Sequence, residues 1–190
     1  MLLSNLTNPD HNNQSLLFES EDFIQLETIV DIVKYLTRKH PSLTLSFNKE
    51  SNGQWEARYN TPMDAENYIK SFTLEGDKHD KQILDICESA QKSLSLNNGK
   101  LFNFISARSK DKQYLFINIH HIVIDAISWK NIIDDIKDII EGNISLDKAE
   151  ENWAYRIVSK ELEGNHNSCS QSVVTYLNEF IPTAKLTCKE

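Results

Sequence analysis

The sequence predicts one α+β domain: an α/β sandwich in which a mixed sheet is flanked by helices. Three observations point there. Apolar residues alternate with period two in some segments and recur at three- and four-residue steps in others. These segments follow one another as strand, helix, hairpin, helix, hairpin, helix, an order that packs helices on a sheet. Finally, the 190 residues are 39% hydrophobic and 25% charged with 5 Gly and 4 Pro, the make-up of an ordinary globular chain long enough for a single core.

The elements can be justified in order. Gln14 to Glu19 is a short apolar run suited to a strand. After Ser20, Glu21 and Asp22, a helix is predicted from the spacing of Leu26, Ile29, Val30, Val33 and Leu36, which leaves one apolar face. His40-Pro41 breaks it. Leu43, Leu45 and Phe47 then alternate with Thr44 and Ser46, and Asn52-Gly53 separates this run from Gln54 to Tyr59, the pattern of a hairpin. A segment holding Pro62, Asp64 and Gly76 reads as a linker. A second helix carries Ile83, Ile86, Cys87, Ala90 and Leu94 on its stripe and is expected to end at Asn97-Asn98-Gly99. Leu101 to Arg108 and Gln113 to His120 read as a second hairpin. A third helix starts near Asp125 to Ser128, buries Trp129, Ile132, Ile133, Ile136 and Ile140, and stops at Gly142. Asn152 to Leu162 reads as one more helix, followed by a polar tail from Gly164.

Charge and composition exclude several classes. The formal net charge of -8 disfavours nucleic acid and anionic lipid as partners, since both are polyanions. No apolar stretch approaches a membrane span, and the opening residues lack the basic and apolar regions of a signal peptide, so a cytoplasmic location is expected. Cys87, Cys169 and Cys188 are odd in number and widely spaced, which predicts free thiols and no zinc site. There is no GxGxxG, P-loop, HExxH or GxSxG.

The candidate chemistry lies in the string from Tyr114 to Asp125, YLFINIHHIVID. Neighbouring strand residues point to opposite faces, so His120 shares the side of Phe116 and Asn118, and His121 that of Ile117 and Ile119. Two such histidines cannot chelate one metal, and no metal is expected. A histidine leaving the end of an apolar strand is partly desolvated, which favours the neutral form a general base needs. Equally, both histidines could be structural, their ring nitrogens satisfied by backbone. Asp125 stands where an N-cap belongs, able to accept from the amide of Ile127 or Ser128. Trp129, at helical spacing from Ile132 and Ile133, reads as core.

The string HHIVIDAISW, His120 to Trp129, resembles the HHxxxDG signature of the condensation-domain superfamily of nonribosomal peptide synthesis, to which chloramphenicol acetyltransferase-like enzymes are related. SLNNGKLFNFISARSKDKQYLFINIHH and KHPSLTLSFNKESNGQW resemble the stretches leading to the motif. NPDHNNQSLLFE is similar to the opening strand of epimerization domains, and ENWAYRIVSKEL to the helix beyond the motif. The resemblance implies a chloramphenicol acetyltransferase-like lobe over residues 1–163, with 164–190 a polar tail or the start of a connection to a second lobe. It implies His121 as catalytic base, His120 as its structural neighbour and Asp125 as a structural aspartate. Ser128-Trp129 after Ala126 looks more like epimerization than ordinary condensation domains. The substrate would be an aminoacyl or peptidyl thioester on the phosphopantetheine arm of a peptidyl carrier protein, with no cofactor bound directly and a second lobe, or a self-association partner, completing the site.

Three departures stand against the family pattern. Ala126 replaces the glycine after the aspartate, awkward if that backbone needs positive φ. Thr44 and Ser46 stand where arginines are usual, one of which supports the aspartate. The resemblance covers only one of the family's two lobes. Two alternatives follow: a condensation-like module that binds a carrier protein without chemistry, or a coenzyme A-dependent acyltransferase of the chloramphenicol acetyltransferase kind.

Overall fold

The computed structural model describes residues 8–76 and 78–144. Nine principal elements follow in order: β1 (Asn13–Ser20), α1 (Leu26–Lys39), β2 (Leu45–Lys49), β3 (Trp55–Tyr59), β4 (Ile69–Thr73), α2 (His79–Lys92), β5 (Phe102–Arg108), β6 (Gln113–His120) and α3 (Ala126–Ile140). Short 3-10 turns at Pro9–His11, Pro41–Thr44 and Ala65–Asn67 join them. The expected helix from Asn152 to Leu162 lies outside the described residues, as do Cys169 and Cys188.

The main sheet has the order β1-β6-β5-β4, and β2 and β3 pair as a separate two-stranded sheet. β6 is central and antiparallel to both neighbours, with Leu16 opposite Ile117 and Ile117 opposite Phe104. β4 runs parallel to β5, so the sheet is mixed. α1 and α3 cover one face. There Ile29, Ile32, Ile117, Ile119, Phe104 and Trp129 belong to one buried apolar cluster. α2 covers the other face, packing Ala90 with Ile105 and Phe116.

Three expectations are corrected by the coordinates. The segment around Pro62 to Gly76 is more than a linker, since it contains β4. Beyond a half-buried Ile69, the strand's residues Lys70, Ser71, Phe72 and Thr73 are all exposed; an edge strand with so little buried surface leaves no alternation to read. α2 stops at Lys92, ahead of Asn97-Asn98-Gly99, which instead forms the turn between Ser95 and Lys100, a bridged pair. Gly99 needs its φ of +66° there, and a Cβ would meet Asn60 Nδ2 at 2.9 Å and Leu45 O at 3.3 Å. On α3 the buried position is Ile139, while Ile140 is 45% exposed; likewise Leu26 is exposed at the start of α1. A helix end outruns the surface it packs on, so the last member of a stripe turns to solvent.

Candidate functional site

β6 is buried along its whole length, and its last residue is His120. The chain then turns through residues 121–124 into α3, so the motif bridges a strand end and a helix start. Alternation along β6 sends His120 to the α2 face together with Asn118 and Phe116. Its side chain is fully buried. Nε2 lies 2.7 Å from the carbonyl of Pro9 and Nδ1 is 3.2 Å from the amide of Ile122. A carbonyl only accepts and an amide only donates, so the ring is neutral with its proton on Nε2. Burial pushes the His120 pKa below the ordinary histidine value, against the raising effect of the Pro9 carbonyl and Asp10.

His121 begins the turn and is half-buried. Its amide donates to Asn12 O at 2.8 Å, which ties it to the start of β1. Nδ1 is 3.1 Å from the carbonyl of Ile124 within the same turn. The proton therefore belongs on Nδ1, and Nε2 carries the lone pair. That nitrogen stands 3.4 Å from Nε2 of Gln14, whose Oε1 accepts from the indole N–H of Trp129 at 2.9 Å. The adjacent histidines thus carry opposite tautomers.

Asp125 is exposed and accepts from the amide of Ser128 at 2.7 Å, as the N-cap of α3. Ala126 is the first residue of that helix, so the position takes right-handed helical backbone and has no use for glycine's positive φ. Thr44 Oγ1 donates to Pro41 O, and Ser46 Oγ lies 3.4 Å from Asn60 Oδ1; both hydroxyls engage their own hairpin region. Trp129 is 2% exposed and belongs to the core. Ile127, by contrast, is 73% exposed on the first turn of α3.

Gln14 is the site residue that strand-by-strand reading passed over. It shares a face of β1 with Leu16, which is buried in the α1/α3 core; a polar side chain at a core-facing strand position was the available signal. Among the described residues no cluster of His, Cys, Asp or Glu could hold a metal ion, and no helix is long and apolar enough to cross a membrane. Burial pushes the Cys87 thiol up to about 11, so it is a poor nucleophile.

The comparisons with known proteins agree with this architecture. Among solved structures, the epimerization domain from the third module of tyrocidine synthetase B matches with a TM-score of 0.65 at 22% identity, covering 72% of this chain and 31% of that one. The starter condensation domain of rhizomide synthetase matches with a TM-score of 0.57 at 16% identity, over 70% of this chain and 33% of that one. The fold is thus the chloramphenicol acetyltransferase-like sandwich of condensation-type domains. FR901469 synthetase of Dothideomycetidae sp. (strain 11243) is 32% identical over 130 residues, 68% of this chain and 1% of that protein. A family model, the condensation domain, matches residues 1–168, and the chain belongs to the condensation-domain family.

Proposed function

We propose that this chain is part of a nonribosomal peptide synthetase condensation-type domain, of the epimerization kind, with His121 as general base. The observation carrying the reading is the ring geometry of His121. Its Nδ1–H is anchored on the Ile124 carbonyl and its Nε2 lone pair is directed away from the backbone. The substrate is an aminoacyl or peptidyl thioester on the phosphopantetheine arm of a peptidyl carrier protein, in the cytoplasm. Nε2 takes the proton from the carbon next to the thioester carbonyl, leaving an enolate. The Ile124 carbonyl then faces the N–H of the resulting imidazolium, a bond that strengthens as charge develops. Return of the proton from the opposite face requires a second acid–base group, which a second lobe supplies.

The likeness to the epimerization domain and the pair Ser128-Trp129 support this subtype. Asp125 and Trp129 support the loop, by capping α3 and by holding Gln14. The test is α-deuterium wash-in from heavy water into a carrier-bound aminoacyl thioester, with the second lobe supplied. His121→Ala is expected to lower exchange by about 10² to 10⁴-fold, and exchange needs no acceptor amine. Amide formation with an acceptor amine and no wash-in reassigns the domain to condensation. Carrier binding without any exchange, unaltered by His121→Ala, overturns the catalytic reading in favour of a binding module.

A further inference from the structure

We infer that Gln14, fixed by Trp129, is a positioning residue that holds Nε2 of His121 as the unprotonated, proton-accepting nitrogen. The inference rests on the reading of His121 as base and adds the device that keeps it in the working state. Three polar contacts run in one direction. The indole N–H of Trp129 can only donate, and at 2.9 Å it donates to Gln14 Oε1. That settles which way the amide lies, since the flipped amide would set N–H against N–H. With Oε1 turned to Trp129, the amide nitrogen is the atom that faces His121 Nε2, at 3.4 Å. An amide nitrogen has no lone pair to offer, so Nε2 must accept.

The far side of the ring imposes the same assignment independently. Ile124 O, 3.1 Å from Nδ1, can only accept, so Nδ1 must donate. A donor at one nitrogen and an acceptor at the other select a single neutral tautomer, and it is the minor one of a free histidine. A proton on Nε2 would face the Gln14 amide hydrogens across 3.4 Å. This contact is at the long limit of a hydrogen bond, so it orients the lone pair and yields to an incoming substrate proton. The titratable groups on the elements around the ring do not supply the effect. Asp10, on the Pro9–His11 turn, accepts from the Leu96 amide, and Asp125 accepts from Ser128. His120 on β6 bonds Pro9 and Ile122. His11, on the same turn as Asp10, has no hydrogen bond to the ring among the described residues.

The placement explains why a glutamine occupies a core-facing position of β1. The residue opposite is Ile119, and Leu16, two positions along the strand on the same face, is part of the apolar core. Half-buried beside a tryptophan, the amide links the helix that carries Trp129 to the turn that carries His121.

The experiment is two-bond ¹H–¹⁵N correlation spectroscopy of the full chain with labelled histidine near pH 7, where each ring nitrogen reports whether it carries a proton. His121→Gln assigns the signal. Wild type is expected to show Nδ1 protonated and Nε2 bare. Gln14→Glu is isosteric and keeps the acceptor for Trp129, but turns an acceptor toward His121, so Nε2 is expected to move to the protonated position. Gln14→Met removes both contacts and is expected to shift the Trp129 indole N–H resonance and, with only the Ile124 carbonyl left to select the tautomer, to raise the fraction of rings protonated on Nε2. A wild-type ring protonated on Nε2 overturns the inference, even if no variant folds. So does a Gln14→Glu spectrum in which Nε2 stays bare. Because the spectrum needs no turnover, a protein with the expected tautomer and no α-proton exchange refutes the proposed function and leaves the positioning intact; the reverse result refutes the positioning alone.

Discussion

The two faces of the four-stranded sheet are built on different principles. The α1/α3 face is a continuous apolar cluster that takes in Ile29, Ile32, Phe104, Ile117, Ile119 and Trp129. The α2 face is thinner and threaded with amides. Asn103 Nδ2 donates to Ala90 O at 2.8 Å and to Ser93 Oγ at 3.1 Å. Ser15 donates to Asn118 Oδ1 and receives Gln91 Nε2, and Asn103 and Asn118 stand opposite each other in register. One-residue alternation along β6 assigns His120 to this polar face as a buried anchor. The next residue, beginning the turn, returns to the other side as His121. The comparison teaches that the apolar face supplies cohesion, whereas the amide face fixes where the strand end lies.

That division is tested most strongly by emptying the apolar face. Phe104 is fully buried at the centre of the sheet, and Phe104→Ala is expected to cost about 3–5 kcal/mol, the range for buried aromatic truncations. Denaturant unfolding measures it. A cost under about 1 kcal/mol would mean that this face is not the main source of cohesion.

The amide face is tested by a paired replacement. Asn103→Leu removes two hydrogen bonds, to the Ala90 carbonyl and to Ser93 Oγ, and is expected to cost about 1–3 kcal/mol, at about 0.5–1.5 kcal/mol for each bond. Asn118→Leu is expected to cost less than half as much, because Asn118 Nδ2 has no partner to lose and Ser15 keeps its bond from Gln91. Equal losses in unfolding experiments would show that the ladder acts as one unit.

The apolar face was the legible one. Ile29, Val33 and Leu36, like Trp129, Ile132, Ile133 and Ile136, announce their burial through helical spacing, and β6 through its run of apolar residues. What stayed hidden depends on partners distant in sequence. β4 becomes a strand through pairing with β5 rather than through its own pattern. Leu94 looks like part of the α2 stripe and is buried, but just beyond the helix. At the site, the string from His120 to Trp129 was readable as a motif, and Asp125 as a cap. Gln14 was not, because its role comes from residues more than a hundred positions away; the single local sign was an amide on an apolar strand face.

The smallest expected effect separates the two histidines by pH. His120 is held neutral in the folded chain: its Nδ1 must accept the Ile122 amide, and a second ring proton would set N–H against N–H. Burial lowers its folded pKa, whereas the unfolded value is the ordinary 6.5 or so. Below about pH 6.5 the unfolded chain therefore binds this proton and the folded chain does not, which favours unfolding. The stability that His120 contributes is full above that pH and falls as pH decreases toward the lowered folded pKa. The loss has a slope of at most about 1.4 kcal/mol per pH unit. Urea titrations at pH 7.5, 6.5 and 5.5 on wild type and His120→Gln, which keeps a donor for Pro9 O, isolate this contribution because the remaining groups titrate in both. The wild type is expected to lose more stability than the variant over the lower interval and only about a third of that excess over the upper, where the unfolded histidine is just beginning to take its proton. Parallel curves would mean that the anchor on the amide face tolerates its second proton, and that the opposite tautomers of the pair are not a condition of the fold.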